Sequence, residues 1–163
     1  MSYLLISLTS TLYFLMNKNV RSKPFKILIA DDDKDDVQMA KDSFKDHDLV
    51  VEVNAVDDGQ YLIDLLREQD KNLLRRNLPQ LILLDLNMPR KNGFEALKEI
   101  KEDVELRKIP VVIFSTSSSQ KDIEKAYELG ANCFVTKPQN TDDWSKTLGQ
   151  LGKFWSQCVS FSE

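Results

Sequence analysis

The stretch LILLDLNMPRKNG, residues 81–93, joins an apolar run to a carboxylate and a turn. Its first four residues are Leu and Ile without interruption, which is the pattern of a strand buried on both faces of a parallel sheet. Asp85 follows that run directly, and Pro89 and Gly93 then mark a turn before a helical pattern. The stretch therefore predicts a central strand that presents a carboxylate at its carboxyl end.

Similar apolar runs alternate with helical patterns along the rest of the chain. The other predicted strands are KILIAD (26–31), VVEVNAV (50–56), PVVIFS (110–115) and CFVTKP (133–138). The predicted inward residues of the helices are Val37, Ala40 and Phe44; Tyr61, Leu62, Leu65 and Leu66; Phe94, Leu97 and Ile100; Ile123, Ala126 and Tyr127; and Trp144, Leu148, Leu151 and Trp155. Gly130 is predicted to end the fourth helix. The alternation predicts an α/β fold, a doubly wound five-stranded parallel sheet sandwiched by five helices.

The composition is that of one soluble globular domain, with 163 residues, 42% of them hydrophobic and 29% charged. The net charge of −4 argues against nucleic-acid binding through bulk charge. Cys133 and Cys158 show neither a metal-ligand spacing nor a disulfide framework. We therefore predict two buried free thiols, as in a reducing cytoplasm.

The N-terminal stretch YLLISLTSTLYFLM, residues 3–16, is apolar but shorter than the ~20 residues that a membrane span requires. No basic residue precedes it and no small-residue cleavage site follows it, which is unlike a signal peptide. Basic residues after it leave a weak anchor as one interpretation. We favour a native start at Met16 or a loosely packed tail. We therefore expect a tail over 1–24, a domain over 25–157, a tail over 158–163, no stable membrane insertion and a cytoplasmic location.

Polar side chains interrupt four of the predicted strands where each one ends. The first strand ends at Asp31 and Asp32, the third at Asp85, the fourth at Ser115 and the fifth at Lys137. In a doubly wound sheet, ligands bind outside the carboxyl ends of the strands. We expect these side chains to lie close together, because four separate strands deliver them to that one edge.

The charges of this group indicate a metal ion and a phosphoryl group. Asp31, Asp32 and Asp85 carry about three negative charges and Lys137 returns one, and like charges at close range repel unless a cation joins them. Carboxylate oxygens without thiols or imidazoles suit Mg²⁺ rather than zinc or copper. A carboxylate beside Mg²⁺ and a lysine is set up to attack phosphorus. We therefore predict that Asp85 becomes an aspartyl phosphate, which Ser115 hydrogen-bonds.

Four motifs in order resemble the receiver domains of two-component response regulators: ILIADDD (27–33), LILLDLNMPRKNG (81–93), VVIFSTSS (111–118) and CFVTKP (133–138). The resemblance covers about residues 25–157. It implies a flavodoxin-like sheet with strand order 2-1-3-4-5. It also implies that Asp85 accepts phosphate from a sensor histidine kinase and that the domain then signals through protein contacts.

The same resemblance implies a role for the residues around Asp85. Asp31 and Asp32 would hold Mg²⁺ together with Asp85, and Asn87 would contribute its backbone carbonyl. Lys137 would contact the phosphoryl group, and the bond between Lys137 and Pro138 would be cis.

The resemblance also implies a conformational switch that responds to phosphorylation. Ser115 would be the switch hydroxyl and Phe134 the switch aromatic, where the commonest pattern has Thr and Tyr. Phosphorylation would draw Ser115 inward and let Phe134 rotate. The fourth helix, fifth strand and fifth helix would then bind an unknown downstream protein or form a homodimer. The charged extension (67–79) and Phe154-Trp155 resemble single-domain receivers that partner bacteriophytochromes.

Two other functions share parts of this pattern. A metal-dependent phosphohydrolase also uses an aspartyl nucleophile, but such enzymes commonly need a second Asp two residues later, where this chain has Asn87. A flavodoxin-type electron carrier needs a hydroxyl- and Gly-rich phosphate loop after the first strand, where DDDKDD (31–36) would repel phosphate. Both fit the sequence less well than a phosphoacceptor switch does.

The remaining polar candidates have simpler interpretations. Asp33, Asp35 and Asp36 are predicted to face the positive end of the first helix dipole rather than a metal. His47, the single histidine, is predicted to be solvated at the end of that helix and to have no phosphorelay role.

Overall fold

The computed structural model of the chain describes residues 23–47, 49–71 and 78–160, except for the side chains of 69–71. The predictions for the N-terminal stretch up to residue 22, for 72–77 of the charged extension and for 161–163 concern residues outside these ranges. None of the described helices is long and apolar enough to cross a bilayer.

Five strands and five helices alternate along the described residues. They are β1 (Phe25–Ala30), α1 (Lys34–Lys45), β2 (Val51–Val56), α2 (Gly59–Lys71), β3 (Leu81–Leu84), α3 (Gly93–Glu102), β4 (Val111–Ser115), α4 (Gln120–Glu128), β5 (Cys133–Thr136) and α5 (Thr141–Lys153). A 3₁₀ turn (Leu106–Lys108) precedes β4, and a π-helical turn (Phe154–Cys158) follows α5. All strand pairs are parallel, and the order β2-β1-β3-β4-β5 confirms the predicted doubly wound sheet.

The two faces of the sheet have separate cores, which explains why the central strand is apolar throughout. Leu81 and Leu83 of β3 pack with α1 and α5, whereas Ile82 and Leu84 pack with α2, α3 and α4. All four side chains are at most 1% exposed. Complete burial of each stabilises the fold by about 1.5–3 kcal/mol relative to exposure. A polar side chain at any position of this strand would therefore be buried in one of the two apolar cores.

The register of the central strands places the strand ends side by side. Ala30 of β1 pairs with Leu84 of β3, so Asp31 and Asp85 are the next residues on adjacent strands. The N–H of Asp85 donates to the carbonyl of Ala30 at 2.9 Å. Ser115 pairs with Thr136, and the next residue along β5 is Lys137. The sheet therefore delivers the predicted polar residues to one edge.

Two tyrosines that were predicted to face inward lie outside the core. Tyr61 is 50% exposed and Tyr127 is 49% exposed, so the prediction is wrong for both. Each has a fully buried neighbour in sequence, Leu62 or Ala126, and successive helical residues point about 100° apart. Only one residue of each pair therefore faces the sheet. The Tyr127 hydroxyl instead accepts a hydrogen bond from the backbone N–H of Phe134 at 3.2 Å.

Two further predictions about burial are wrong. His47 is half-buried rather than solvated, and its Nε2 lies 2.8 Å from the carbonyl oxygen of Ser145. Its ring occupies the space beside Gly149 in α5, where an added Cβ would come within 2.1 Å of the imidazole. Both cysteines are free, but only Cys133 is partly buried, because Cys158 lies exposed in the π-helical turn.

Helix α1 begins with a cap that the acidic run supplies. The Asp33 carboxylate accepts hydrogen bonds from the N–H groups of Asp35 at 2.9 Å and Asp36 at 3.3 Å. The predicted place of these residues at the positive end of the helix is confirmed. Gly130 follows α4 with a φ of 92°, which confirms the predicted end of that helix.

Candidate functional site

Three of the predicted site residues meet in one buried cluster beyond the strand ends. The Lys137 Nζ atom lies 2.7 Å from Asp31 Oδ2 and 3.1 Å from Asp85 Oδ1. The exposed fractions of Asp31, Asp85 and Lys137 are 6%, 5% and 8%. The ends of β1, β3 and β5 thus supply two carboxylates and one ammonium, and the ammonium bridges the carboxylates.

A third carboxylate, which the sequence analysis assigned to the helix dipole, joins the same ammonium. Asp36 Oδ2 lies 2.8 Å from Lys137 Nζ. Asp36 belongs to the first turn of α1, and α1 begins directly after the β1 end that carries Asp31. The available signal was positional: three residues separate the end of β1 from the start of α1, so the first turn of that helix begins near the strand end.

Backbone hydrogen bonds hold one oxygen of each central carboxylate. Asp31 Oδ1 accepts a hydrogen bond from the N–H of Asp33 at 3.0 Å, and Asp85 Oδ2 accepts one from the N–H of Asn87 at 2.6 Å. The other oxygen of each carboxylate faces Lys137. Asp32 and Asn87 are both exposed beside the cluster. The orientation of Asp31 and Asp85 is thus set by the loops that follow their strands.

The predicted switch residues lie on the two neighbouring strands. Ser115 ends β4 with 0% exposure, and its Oγ accepts a hydrogen bond from the N–H of Ser117 at 3.4 Å. The Ser115 carbonyl also accepts from the N–H of Lys137 at 2.8 Å. Phe134 of β5 is half-buried against the core that packs with α2, α3 and α4. The backbone therefore connects Ser115 directly to the lysine of the cluster.

The peptide bond between Lys137 and Pro138 is trans, since the described residues contain no cis peptide bond. The cis geometry implied by the resemblance is therefore wrong for this structure. The trans form is the preferred one even before proline, by about 0.5–1 kcal/mol. The Pro138 carbonyl accepts a hydrogen bond from the indole N–H of Trp144 at 2.7 Å, which ties this loop to α5.

The cluster carries more negative than positive charge and is buried, and burial together with the shared ammonium shifts two pKa values. Burial raises the pKa of Asp31 to about 6, against the lowering effect of the Lys137 ammonium. Burial acts to lower the pKa of Lys137, but hydrogen bonds to Asp31 and Asp36 outweigh it and raise that pKa above its usual range. The raised pKa of Asp31 is the effect expected of burial on a carboxylate, and the raised pKa of Lys137 is the effect expected of several carboxylates around one ammonium.

The donor atoms of the cluster fit a small, hard divalent cation. Within the described ranges, no three carboxylate, imidazole or thiol side chains are grouped so as to ligate one ion. Mg²⁺ does not require such a group, because it binds through one or two carboxylates, a phosphate oxygen and water. Asp31 and Asp85 provide two buried carboxylates with an excess of negative charge, and that charge favours a cation.

An acidic cluster with a bridging lysine, at the carboxyl edge of a doubly wound sheet, fits a phosphoacceptor signalling module. Residues 27–148 match the response regulator receiver domain, and the chain belongs to that family. It is therefore a phosphoacceptor of two-component signalling, and response regulators receive their phosphate from histidine kinases. The phosphohydrolase alternative is not favoured.

Individual relatives agree with this assignment. Response regulator Rcp1 of Synechocystis sp. (strain ATCC 27184 / PCC 6803 / Kazusa) is 37% identical over 143 residues, which cover 84% of this chain and 92% of the relative. The structure of the phosphorylated cyanobacterial phytochrome response regulator RcpA is 35% identical with a TM-score of 0.78, covering 86% of this chain and 99% of that one. The structure of the Mn²⁺-bound form of response regulator Rcp1 is 35% identical with a TM-score of 0.76. The match covers 86% of this chain and 100% of that one.

Proposed function

We propose that Asp85 is the residue that accepts the phosphoryl group from a sensor histidine kinase. The observation that carries this proposal is the Lys137 ammonium, which contacts both Asp85 and Asp31 at the ends of adjacent strands. A lysine at that distance from the acceptor carboxylate is placed to neutralise phosphoryl oxygens as charge develops on them. Asp85 is also the residue that the central strand delivers to the edge of the sheet.

In the proposed transfer, a carboxylate oxygen of Asp85 attacks the phosphorus atom. The new bond joins that oxygen to phosphorus, while the bond from phosphorus to the kinase histidine nitrogen breaks and the nitrogen keeps the electron pair. Lys137 and the buried hydroxyl of Ser115 then donate hydrogen bonds to phosphoryl oxygens. The chain catalyses only its own phosphorylation and dephosphorylation.

The proposed cofactor is Mg²⁺, held by Asp31, Asp32, Asp85 and the backbone carbonyl of Asn87. The excess negative charge of the cluster and its oxygen donors support this choice. A divalent cation in the Mn²⁺-bound form of the relative Rcp1 supports it further. When bound, the cation supplies positive charge to phosphoryl oxygens in addition to that of Lys137.

Phosphorylation of the wild-type chain is expected to require a divalent cation. With a small acyl phosphate, the protein should gain the mass of one phosphoryl group in Mg²⁺ or Mn²⁺ and none in a chelator, measured by intact-mass spectrometry. Asp32→Ala should need more Mg²⁺ for the same gain, because it loses a ligand. Asp35→Ala, on the first turn of α1, is the matched control and should behave as wild type. Equal labelling with and without the chelator would contradict the metal proposal.

The proposed output is a change at the surface formed by α4, β5 and α5. Ser115 and Phe134 are the proposed switch, and the buried position of Ser115 beside the cluster supports its part in it. Phe134 lies on β5, whose backbone is bonded to α4 through Tyr127. The proposed occupants of this surface are a downstream protein or a second copy of the chain. The receiver domain is proposed to extend over 25–157 and to act in the cytoplasm.

Ser115→Ala is expected to separate phosphorylation from output. The variant should still gain a phosphoryl group, because Asp85 and Lys137 remain, but its dimer affinity should no longer respond to beryllofluoride, which mimics the phosphoryl group. Light scattering with and without the mimic measures this response. Ser118→Ala, an exposed serine three residues later, is the control. A full wild-type response in Ser115→Ala would exclude a role for the hydroxyl.

A further inference from the structure

A buried carboxylate outside the cluster, that of Asp58, ties α2 to the loop between β3 and α3. Asp58 is 1% exposed. Its Oδ1 accepts a hydrogen bond from the N–H of Tyr61 at 2.7 Å, which caps the first turn of α2. Its Oδ2 accepts no hydrogen bond within the described structure and is paired ionically with the guanidinium of Arg90. One oxygen of the Asp58 carboxylate therefore caps α2, and the other binds the guanidinium of Arg90 in the loop.

The loop around Arg90 has a conformation that needs external support. Arg90 has a φ of 63°, in the left-handed region that is uncommon for residues other than glycine. The N–H of Lys91 donates to the carbonyl of Pro89 at 2.7 Å, which closes a tight turn around Arg90. Gly59 at the start of α2 lies so near that an added Cβ would be 2.3 Å from the Lys91 carbonyl oxygen. The start of α2 is thus in direct contact with the loop backbone.

The same loop is packed equally closely against Asp85. An added Cβ at Gly93 would lie 2.1 Å from the Asp85 carbonyl oxygen. The N–H of Asn87 donates to the Asp85 carboxylate at 2.6 Å, and the N–H of Gly93 donates to the Leu86 carbonyl at 2.9 Å. The loop that carries Arg90 is thus in contact with Asp85 through both Asn87 and Gly93.

We propose that Asp58 is a positioning residue for the phosphoacceptor: through Arg90 it holds the β3–α3 loop, so that the Asp85 carboxylate and the Asn87 carbonyl keep the geometry that a divalent cation needs. This inference rests on the proposed function, in which Asp85 accepts the phosphoryl group. A buried carboxylate with one charged partner suits this task, because moving Arg90 away leaves a buried charge unpaired. Capping alone does not require that charge, since an Asn caps a helix equally well.

The test compares Asp58→Asn and Arg90→Gln with the wild-type chain. Asn at this position keeps the acceptor oxygen for the N–H of Tyr61 but removes the charge that Arg90 pairs with. We expect Mg²⁺ affinity, measured by calorimetric titration well below the melting temperature, to fall about tenfold in both variants. This is the low end of the loss that follows when a residue that orients a metal ligand is removed. Phosphoryl gain from a small acyl phosphate should slow in parallel. Asp64→Asn, which removes an exposed carboxylate from the same helix, should match wild type.

The double variant Asp58→Asn/Arg90→Gln distinguishes positioning from a general loss of structure. If Asp58 acts through Arg90, the double variant should bind Mg²⁺ no more weakly than either single variant. Additive losses, or wild-type affinity in the folded single variants, would overturn the proposal. If Asp58→Asn does not fold, Arg90→Gln decides the question alone, because the Arg90 side chain is 66% exposed. Failure of the proposed function is distinguishable from failure of this inference. If the proposed function is wrong, the wild-type chain gains no phosphoryl group, and the Mg²⁺ titrations still decide the role of Asp58.

Discussion

Asp85→Asn is expected to fold normally and to gain no phosphoryl group from a small acyl phosphate in Mg²⁺. The amide has nearly the shape of the carboxylate but lacks the negatively charged oxygen that attacks phosphorus. The fold should tolerate the change, because Asp85 shares the Lys137 ammonium with two other carboxylates and the cluster already has excess negative charge. Intact-mass spectrometry measures the loss, and thermal unfolding establishes that the variant is folded.

Asp57→Asn is the matched control for this loss. Asp57 follows β2 at the same edge of the sheet, but its side chain is exposed and lies outside the cluster. It should therefore gain a phosphoryl group at the wild-type rate. A mass gain in Asp85→Asn at the wild-type rate would show that another residue is the acceptor. Peptide mapping of that product would then identify the residue.

The fold and three of the site residues were predictable because short stretches of sequence determine them. An apolar run of four residues, as in β3, has to be covered on both faces, and alternation of such runs with helices leaves few topologies. Parallel strands then bring their carboxyl ends to one edge. Asp31, Asp85 and Lys137 each come directly after a strand, so their meeting required no knowledge of side-chain packing.

The contacts that the sequence analysis missed depend on how elements distant in sequence pack together. Asp36 reaches Lys137 because α1 begins close to the end of β1, but the charge pattern did not distinguish Asp36 from the neighbouring acidic residues of that turn. His47 is half-buried because Gly149, on another helix, leaves room for its ring. The pairing of Asp58 with Arg90 similarly joins two loops that no sequence motif connects. Such pairings become visible only when the helices are in place.

Lys137→Met is expected to have the largest effect on stability among the variants considered, a loss of about 3–5 kcal/mol in the free energy of unfolding near neutral pH without metal. Lys137 is the shared cation of three carboxylates, two of them buried, and Met fills its volume without its charge. Chemical denaturation in a chelator measures the loss. Lys153→Met, at the exposed end of α5, is the control and should stay within about 0.5 kcal/mol of wild type. Equal losses in the two variants would mean that the cluster does not depend on the ammonium.

The loss in Lys137→Met should also depend on pH and on Mg²⁺. Burial already raises the folded-state pKa of Asp31 from 3.8 to about 6, so protonation of this group stabilises the folded chain. That contribution is complete below the unfolded-state pKa and is lost as pH rises through about 6. Removing the ammonium takes away an interaction that lowers this pKa, so the deficit of the variant should be greatest above about pH 6 and should shrink as pH falls toward 4. Added Mg²⁺ should also reduce the deficit, because a bound cation replaces the missing positive charge, and its stabilisation of the folded state grows with the logarithm of its concentration once that exceeds the Kd. A deficit that changes with neither pH nor Mg²⁺ would show that Lys137 contributes packing rather than charge.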